Sequence, residues 1–339
     1  MKLFQGECLE IMAGMDADSV DAIVTDPPYG LSFMGKEWDH GVPGVPFWIE
    51  MLRILKPGGH LLSFGGSRTY HRMACAVEDA GFEIRDQIMW IYGSGFPKSK
   101  NVSLAIDKGE GHPNRGKAIP TASKFQNGTT QHLKSNPVGP YEPRSEAAMD
   151  WEGWGTALKP AHEPIVVARK PLIGTVAKNV LDHGVGGINV DGCRVGTDEI
   201  TINTFDDGMK PFGDGAGHPY TSKKQEGRWP ANVIHDGSDE VTAGMGDAVR
   251  YFYCPKASKK ERGEGNSHPT VKPLALMRYL CRLVTPPGGT VLDPFMGSGT
   301  TVLAALEEGL KPTGIELSED YIEIARGRLA DCQSLFKGD

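Results

Sequence analysis

Val20 to Gly30 reads V-D-A-I-V-T-D-P-P-Y-G. Val20, Ala22, Ile23 and Val24 make a short apolar, β-branched run, the pattern of a parallel strand buried on both faces. The run ends at Asp26, and the two prolines after it cannot continue a hydrogen-bonded ladder. Tyr29 and Gly30 begin a turn. Such a strand delivers a carboxylate, a rigid bend and an aromatic ring to its own carboxyl end, the edge at which open α/β sheets bind ligands. Pro27 and Pro28 carry no N–H, while the carbonyls of Asp26 and Pro27 remain acceptors. With the Asp26 carboxylate, the tip suits a planar group bearing two N–H donors, such as an exocyclic amine, and Tyr29 offers a face for stacking. The tetrapeptide alone also fits a plain Pro-Pro turn with Tyr29 as ordinary packing.

Working outward, Thr290 to Thr301 reads T-V-L-D-P-F-M-G-S-G-T-T and continues as a helix from Val302 to Glu308. This is a strand, a glycine-rich turn and a helix start, where Gly297 and Gly299 let the backbone approach a ligand and the helix offers free N–H groups. Thr313 to Glu316 reads as the next strand, ending in an acid placed to accept from ribose hydroxyls. The glycines follow G-x-G without a third, which disfavours a dinucleotide.

Asp26-Pro27-Pro28-Tyr29 together with Asp293-Pro294-Phe295-Met296-Gly297-Ser298-Gly299 resembles the S-adenosylmethionine-dependent DNA amino-methyltransferases, in the motif order of their β class. The resemblance implies catalytic roles for Asp26, Pro27, Pro28 and Tyr29. It implies a cofactor wall of Asp26, Asp293, Pro294, Phe295, Gly297, Ser298, Gly299, Thr300, Glu316 and Leu317. Gly6-Glu7-Cys8-Leu9-Glu10 resembles the family turn beneath the cofactor adenine, which brings in Glu7 and Cys8; the usual acid there is Asp. His268 to Pro273 resembles the segment at the methionine end, which brings in Thr270, Lys272 and Pro273. His162 and Glu163 resemble a recurring H-E pair and are read here as fixing a return strand.

The fold expected is α/β: a Rossmann-like methyltransferase sheet, mostly parallel with an antiparallel edge, circularly permuted in motif order, plus a target-recognition region. Residues 1–97 form the catalytic half, 98–157 a basic mobile insertion that orders on DNA, 158–170 the return strand, 171–262 the recognition region and 263–339 the cofactor half. Leu9, Met12 and Met15 predict a short helix. Phe47 to Leu55 predicts a helix stopped by Lys56-Pro57-Gly58-Gly59. His60 to Phe64, Tyr70 to Ala80 and Phe82 to Ile91 predict strand, helix and strand. Ile165 to Ala168 predicts the antiparallel partner of Ile88 to Ile91. Leu274 to Val284 predicts a helix, and Ser318 caps the last one. Only one strand follows the glycine turn, so the sheet must be completed by strands from the N-terminal part.

The 339 residues are 39% hydrophobic and 23% charged, ordinary for a globular chain. No apolar run of about 18 residues or signal-peptide core is present. Six scattered cysteines without a C-x-x-C pair suggest reduced thiols in a cytoplasm and no metal site. The net charge of −7 is unevenly placed: residues 98–134 hold seven Lys/Arg against two acids, and residues 250–282 eight against two. These are candidate phosphate-tracking segments, or merely solvated loops. Lys36, Trp38, Lys98, Lys100, Arg194 and Arg228 are the candidate DNA contacts.

An aromatic amine is a poor nucleophile because its lone pair is delocalised. Acceptors at Asp26 and Pro27 would hold both N–H bonds and turn the lone pair toward the sulfonium methyl, with no covalent intermediate. The partner expected is double-stranded DNA, with the target base flipped out of the stack; many members of the class are homodimers. In the family D-P-P-Y mostly accompanies adenine N6 and S-P-P-Y cytosine N4, so adenine is expected and cytosine N4 is the alternative. A protein-glutamine methyltransferase would favour N-P-P-Y, a silent DNA-binding protein would not need both motifs, and a nicotinamide enzyme would want a third glycine.

Overall fold

The computed structural model describes residues 1–30, 41–93, 95, 99–112, 141–205, 220–246, 252–253 and 271–336. In chain order the elements are β1 (Lys2–Gln5), α1 (Cys8–Ala13), β2 (Val20–Thr25), α2 (Val45–Ile54), β3 (Leu55–Phe64), α3 (Tyr70–Asp79), β4 (Glu83–Ile91), α4 (Val102–Gly109), α5 (Glu146–Asp150), β5 (His162–Arg169), α6 (Val176–His183), β6 (Val195–Phe205), β7 (Tyr220–Arg228), β8 (Val233–His235), α7 (Asp239–Met245), β9 (Phe252–Tyr253), α8 (Leu274–Val284), β10 (Thr290–Asp293), α9 (Thr300–Glu307), β11 (Lys311–Glu316) and α10 (Glu319–Phe336).

The main sheet runs β1-β11-β10-β2-β3-β5-β4-β8-β9. Its pairings are parallel except those of β5 with β3 and β4. Lys2 pairs with Thr313 and Ile23 with Leu292, so the N-terminal strands complete the sheet begun at β10 and β11. Alternate residues of one strand face opposite layers. Ala22 and Val24 join a cluster with Leu276, Leu280, Ala304 and Ala305 of α8 and α9. Ile23 joins Met12, Trp48, Met51 and Met73 of α1, α2 and α3. Both faces of β2 are therefore covered, which is why its sequence shows no polar alternation. Burying each of the Val, Leu, Ile and Met side chains is worth roughly 1.5–3 kcal/mol.

Two expectations change. The return strand β5 is not an edge: it lies between β3 and β4 and pairs with both. Its run Pro164 to Arg169 is buried throughout, as an interior strand must be. Second, Lys56-Pro57-Gly58-Gly59 does not separate helix from strand. It lies inside β3, whose register on β2 jumps from Val20↔Leu55 to Ala22↔His60. Gly59 tolerates this because an added Cβ would sit 2.9 Å from the Asp21 carbonyl oxygen. Residues 171–262 contribute strands to two sheets. The β6–β7 ribbon forms its own sheet, whereas β8 and β9 extend the main one.

The chain divides into two compact units, Met1–Ser94 with Ala161–Asp339, and Gly95–Pro160. The smaller unit contains α4 and α5 despite its weak apolar periodicity. Its described part is tied together by buried Asp107, whose carboxylate accepts from Tyr141 Oη at 2.7 Å, Arg144 N at 3.0 Å, and Ser145 N and Oγ at 3.0 Å. Burial lifts this carboxyl's pKa, and those donors outweigh burial and bring it to about 2. No described helix is long and apolar enough to cross a membrane.

Candidate active site

The carboxyl ends of β2 and β10 are neighbours, so the two motifs, far apart in sequence, meet at one sheet edge. Asp293 joins them. Its Oδ1 accepts from Thr25 Oγ1 at 2.7 Å and from Phe295 N at 3.1 Å, and its Oδ2 from Thr301 Oγ1 at 2.5 Å. Burial pushes its carboxyl up to about 6 against the pull of those donors. In front lies a cavity of about 780 Å³ whose wall includes Asp26 to Tyr29, Glu7, Cys8, Asp293 to Ser298, Thr300, Glu316 and Leu317. Its volume is in the range of small-molecule pockets.

On one side of the cavity is a buried ionic cluster. Asp26 Oδ1 accepts from the Tyr29 hydroxyl at 2.6 Å, and Oδ2 pairs with Lys272 Nζ at 2.8 Å. Lys272 Nζ also pairs with Glu163 Oε2 at 3.0 Å and donates to Tyr29 Oη at 3.1 Å. It sits 4.8 Å from the centre of the Phe64 ring and 5.4 Å from that of Tyr29, favourable distances for a cation over aromatic faces. Two carboxylates thus share one ammonium. Burial raises the Asp26 pKa, Lys272 lowers it and Glu163 raises it again, leaving it above the usual carboxylate range. Burial works against the Lys272 ammonium, and the two carboxylates more than restore it. Burial and both acids also keep Tyr29 protonated, hence a donor. Gly66 lets the Tyr29 ring lie close, since an added Cβ would be 3.2 Å from Tyr29 Cδ2.

On the other side the glycine turn is shaped from behind. Gly297 and Gly299 have φ of 54° and 82°, which favour glycine. A Cβ on Gly299 would lie 3.0 Å from Ala325 Cβ, so α10 packs directly on the turn. Arg328 of α10 donates Nη1 to the Ser298 carbonyl at 2.6 Å and to Ser298 Oγ and Thr300 Oγ1 at 3.1 Å. Glu316 accepts from Gly297 N at 2.8 Å through Oε2 and from Ser318 N at 2.8 Å through Oε1. Burial raises its pKa and these backbone donors lower it, with burial dominant. Glu7 caps α1 by accepting from Glu10 N at 3.0 Å. Cys8 Sγ donates to Glu7 at 3.6 Å, and burial, then the Glu7 charge, push its thiol up to about 12.

Most of the expected cofactor residues meet at this cavity; Gly299 and Pro273 are not on its wall. Lys272 is on it, with its charge spent on Asp26 and Glu163. The Asp26 carboxylate is correspondingly engaged at both oxygens. Thr270, Lys36, Trp38 and Lys98 lie outside the described residues. Lys100 lies in the Gly95–Pro160 unit, where its backbone N–H donates to Thr156 Oγ1. Arg194 is paired with Asp191 at 2.8 Å, donates to the Gly227 carbonyl at 3.3 Å and stacks 5.6 Å over Trp229, so it braces the ribbon. Arg228 ends β7. The sequence reading gave Glu163 only the structural task of fixing the return strand, although its H-E signal was visible, and passed over Val42, Pro43, Phe47, Trp90 and Tyr321, which reach the wall from segments without a motif.

A family described as "DNA methylase" (N6_N4_Mtase) matches residues 20–327. The type II methyltransferase M.HindIII of Haemophilus influenzae is 23% identical over 93% of this chain and 90% of its own length. M.ScaI of Streptomyces caespitosus is 35% identical over 34% of this chain, and the match spans 36% of that relative. Among solved structures, the M1.HpyAVI–SAM complex is 19% identical, covering 97% of this chain and 98% of that one with a TM-score of 0.46.

Proposed function

This chain belongs to the DNA methylase family, and from that premise we propose that it transfers a methyl group from S-adenosyl-L-methionine to the exocyclic N6 amine of an adenine rotated out of duplex DNA. The observation that carries this reading is the adjacency of Asp26 and the glycine turn, two strand tips bound through Thr25 and Asp293 on one cavity.

The chemistry of the wall fits the cofactor. Glu316 presents a carboxylate beside Gly297, where ribose hydroxyls would donate. Phe295 and Ile315 give apolar surface for the adenine ring, and the turn at Gly297 admits a close backbone approach. When bound, S-adenosylmethionine supplies an electrophilic methyl on sulfur. The chain's own residues do the rest. The Asp26 carboxylate and Pro27 carbonyl accept the amine's N–H bonds, Tyr29 offers its ring to the base, and the apolar wall excludes water. Such alignment can supply up to about 7–11 kcal/mol of barrier reduction. The choice of adenine rests on the Asp of Asp26-Pro27-Pro28-Tyr29, the residue that mostly accompanies N6 transfer in this motif.

The test is nucleoside mass spectrometry on unmethylated duplex DNA incubated with the protein and S-adenosylmethionine. N6-methyldeoxyadenosine is the expected product. N4-methyldeoxycytidine would keep the mechanism and overturn the base. No methylated nucleoside, with cofactor binding demonstrated by calorimetry, would overturn DNA as the substrate.

A further inference from the structure

Methyl transfer to an amine leaves a proton to be disposed of. As the N–CH₃ bond forms from the amine lone pair, the methyl–sulfur bond breaks with its electrons on sulfur, and the nitrogen must release one N–H proton. Asp26 is the acceptor nearest that nitrogen in the reading above, on which this inference rests. Asp26 is half-buried, with its side chain 18% exposed, and in that reading the methylated base still covers its cavity side, so the proton needs another way out.

The cluster around Asp26 contains a route outward. The Tyr29 hydroxyl lies 2.6 Å from Asp26 Oδ1 and 3.3 Å from Glu163 Oε2, so its single proton can be given to either carboxylate. Lys272 Nζ holds both acids, at 2.8 and 3.0 Å, and fixes their separation. Glu163 lines the same cavity and has a 20% exposed side chain. The groups that face Glu163 are Asp26 and Tyr29 beyond β2, Lys272 before α8, and Tyr92 after β4, whose hydroxyl is hydrogen-bonded to it. Two carboxylates against one ammonium leave the cluster with one uncompensated negative charge, which is room for one proton.

We propose that Glu163 is a positioning residue for methyl transfer and the exit for the amine proton: Asp26 takes the proton from nitrogen, Asp26 passes a proton to the Tyr29 oxygen as the Tyr29 hydroxyl gives its own to Glu163, and Glu163 releases it to the cavity. Charge and protons balance at each stage, and the resting state is regained when the proton leaves. The raised Asp26 pKa supports the first step, since burial favours its neutral form.

The experiment is single-turnover methyl transfer to unmethylated genomic DNA across pH, with a dye reporting proton release, for the wild type and Glu163→Gln. The variant is expected to transfer methyl about 100-fold more slowly, in the range of a lost proton-transfer partner. Its proton release should lag behind transfer. Its acid limb should move to lower pH, because the Glu163 charge no longer raises Asp26. Cofactor affinity by calorimetry should be unchanged. A Glu163→Gln protein with wild-type rate, pH profile and proton release overturns the proposal while leaving the methyltransferase reading intact. A wild type that transfers no methyl to DNA overturns both. Should Glu163→Gln fail to fold, Tyr29→Phe must show the same lag in proton release, and its absence there overturns the relay.

Discussion

Thr25, at the end of β2, donates its hydroxyl to Asp293, at the end of β10, across 2.7 Å and 268 residues of chain. That bond fixes the amine-binding tip against the glycine turn. Thr25→Val keeps the shape and removes the donor, leaving a buried carboxylate under-satisfied. The expected cost is about 1–3 kcal/mol in urea denaturation, with weaker cofactor binding. Unchanged stability together with unchanged affinity would contradict the linking role.

Two buried groups give stability opposite pH slopes. Burial, aided by the Arg169 and Arg85 charges, lowers His60 to about 4, and its Nδ1 has no hydrogen-bond partner among the described residues. Against an unfolded value near 6.5, its contribution is full above that pH and lost as pH falls through about 4. Asp293 runs the other way. Raised to about 6 from an unfolded value near 3.9, it contributes fully below about pH 3.9, and that contribution is lost as pH rises through about 6. Each window is worth roughly 3 kcal/mol at 1.36 kcal/mol per pH unit. Subtracting the stability curve of His60→Leu from that of the wild type should give a rising line between pH 4 and 6.5, and subtracting that of Asp293→Asn a falling one between about 4 and 6. Flat difference curves would refute the shifts.

Asp26→Ala should abolish methyl transfer while sparing the cofactor, because Glu316 and the glycine turn stand on the other strands. The check is a filter assay with radiolabelled cofactor beside a calorimetric titration. Appreciable turnover in Asp26→Ala would remove the carboxylate from the mechanism.

Glu316→Gln replaces one carboxylate oxygen with an amide that faces a backbone N–H, either that of Gly297 or that of Ser318. Charge-assisted bonds of this kind are worth about 1.5–3 kcal/mol, so cofactor dissociation should rise roughly tenfold to a hundredfold. Calorimetry at one temperature suffices, and unaltered affinity would move the ribose elsewhere on the wall.

Gly314 is under the turn rather than in it. A Cβ there would sit 2.3 Å from Met296 Sδ and 2.9 Å from Val302 Cγ2. Gly314→Ala should therefore displace Met296 and cost about 1–3 kcal/mol by overpacking. Adding Met296→Ala should recover part of that loss, an interaction energy that a thermal-melt cycle would register. Strict additivity would place the clash elsewhere.

The sequence made β2, β10 and the glycine turn legible because each carries local chemistry: a β-branched run, a proline stop, paired glycines. The closing of the sheet through β1 and β2 followed from counting strands after the glycine turn. What was not legible depends on which strand lies beside which. The insertion of β5 between β3 and β4 is a choice of partner, and periodicity reports faces, not neighbours. Glu163 shared that fate: as a polar residue at a strand start it looked structural, and only the approach of Lys272 from before α8 brings it to Asp26. The helices of the Gly95–Pro160 unit escaped notice because their anchor, Asp107, is a buried acid and not an apolar stripe.

The pairing of β2 with β10 also sets an order of events at the ribosome. At roughly 5–20 residues per second, the 268 residues between Thr25 and Asp293 take roughly a quarter of a minute to a minute to emerge. During that interval the β2 flank that will meet β10 is an open edge on nascent chain, apolar and ready to pair wrongly. A chaperone that shields β2 until the last strands arrive would raise the yield of finished protein, and a messenger broken before β10 would give a product prone to aggregate, with no cofactor wall.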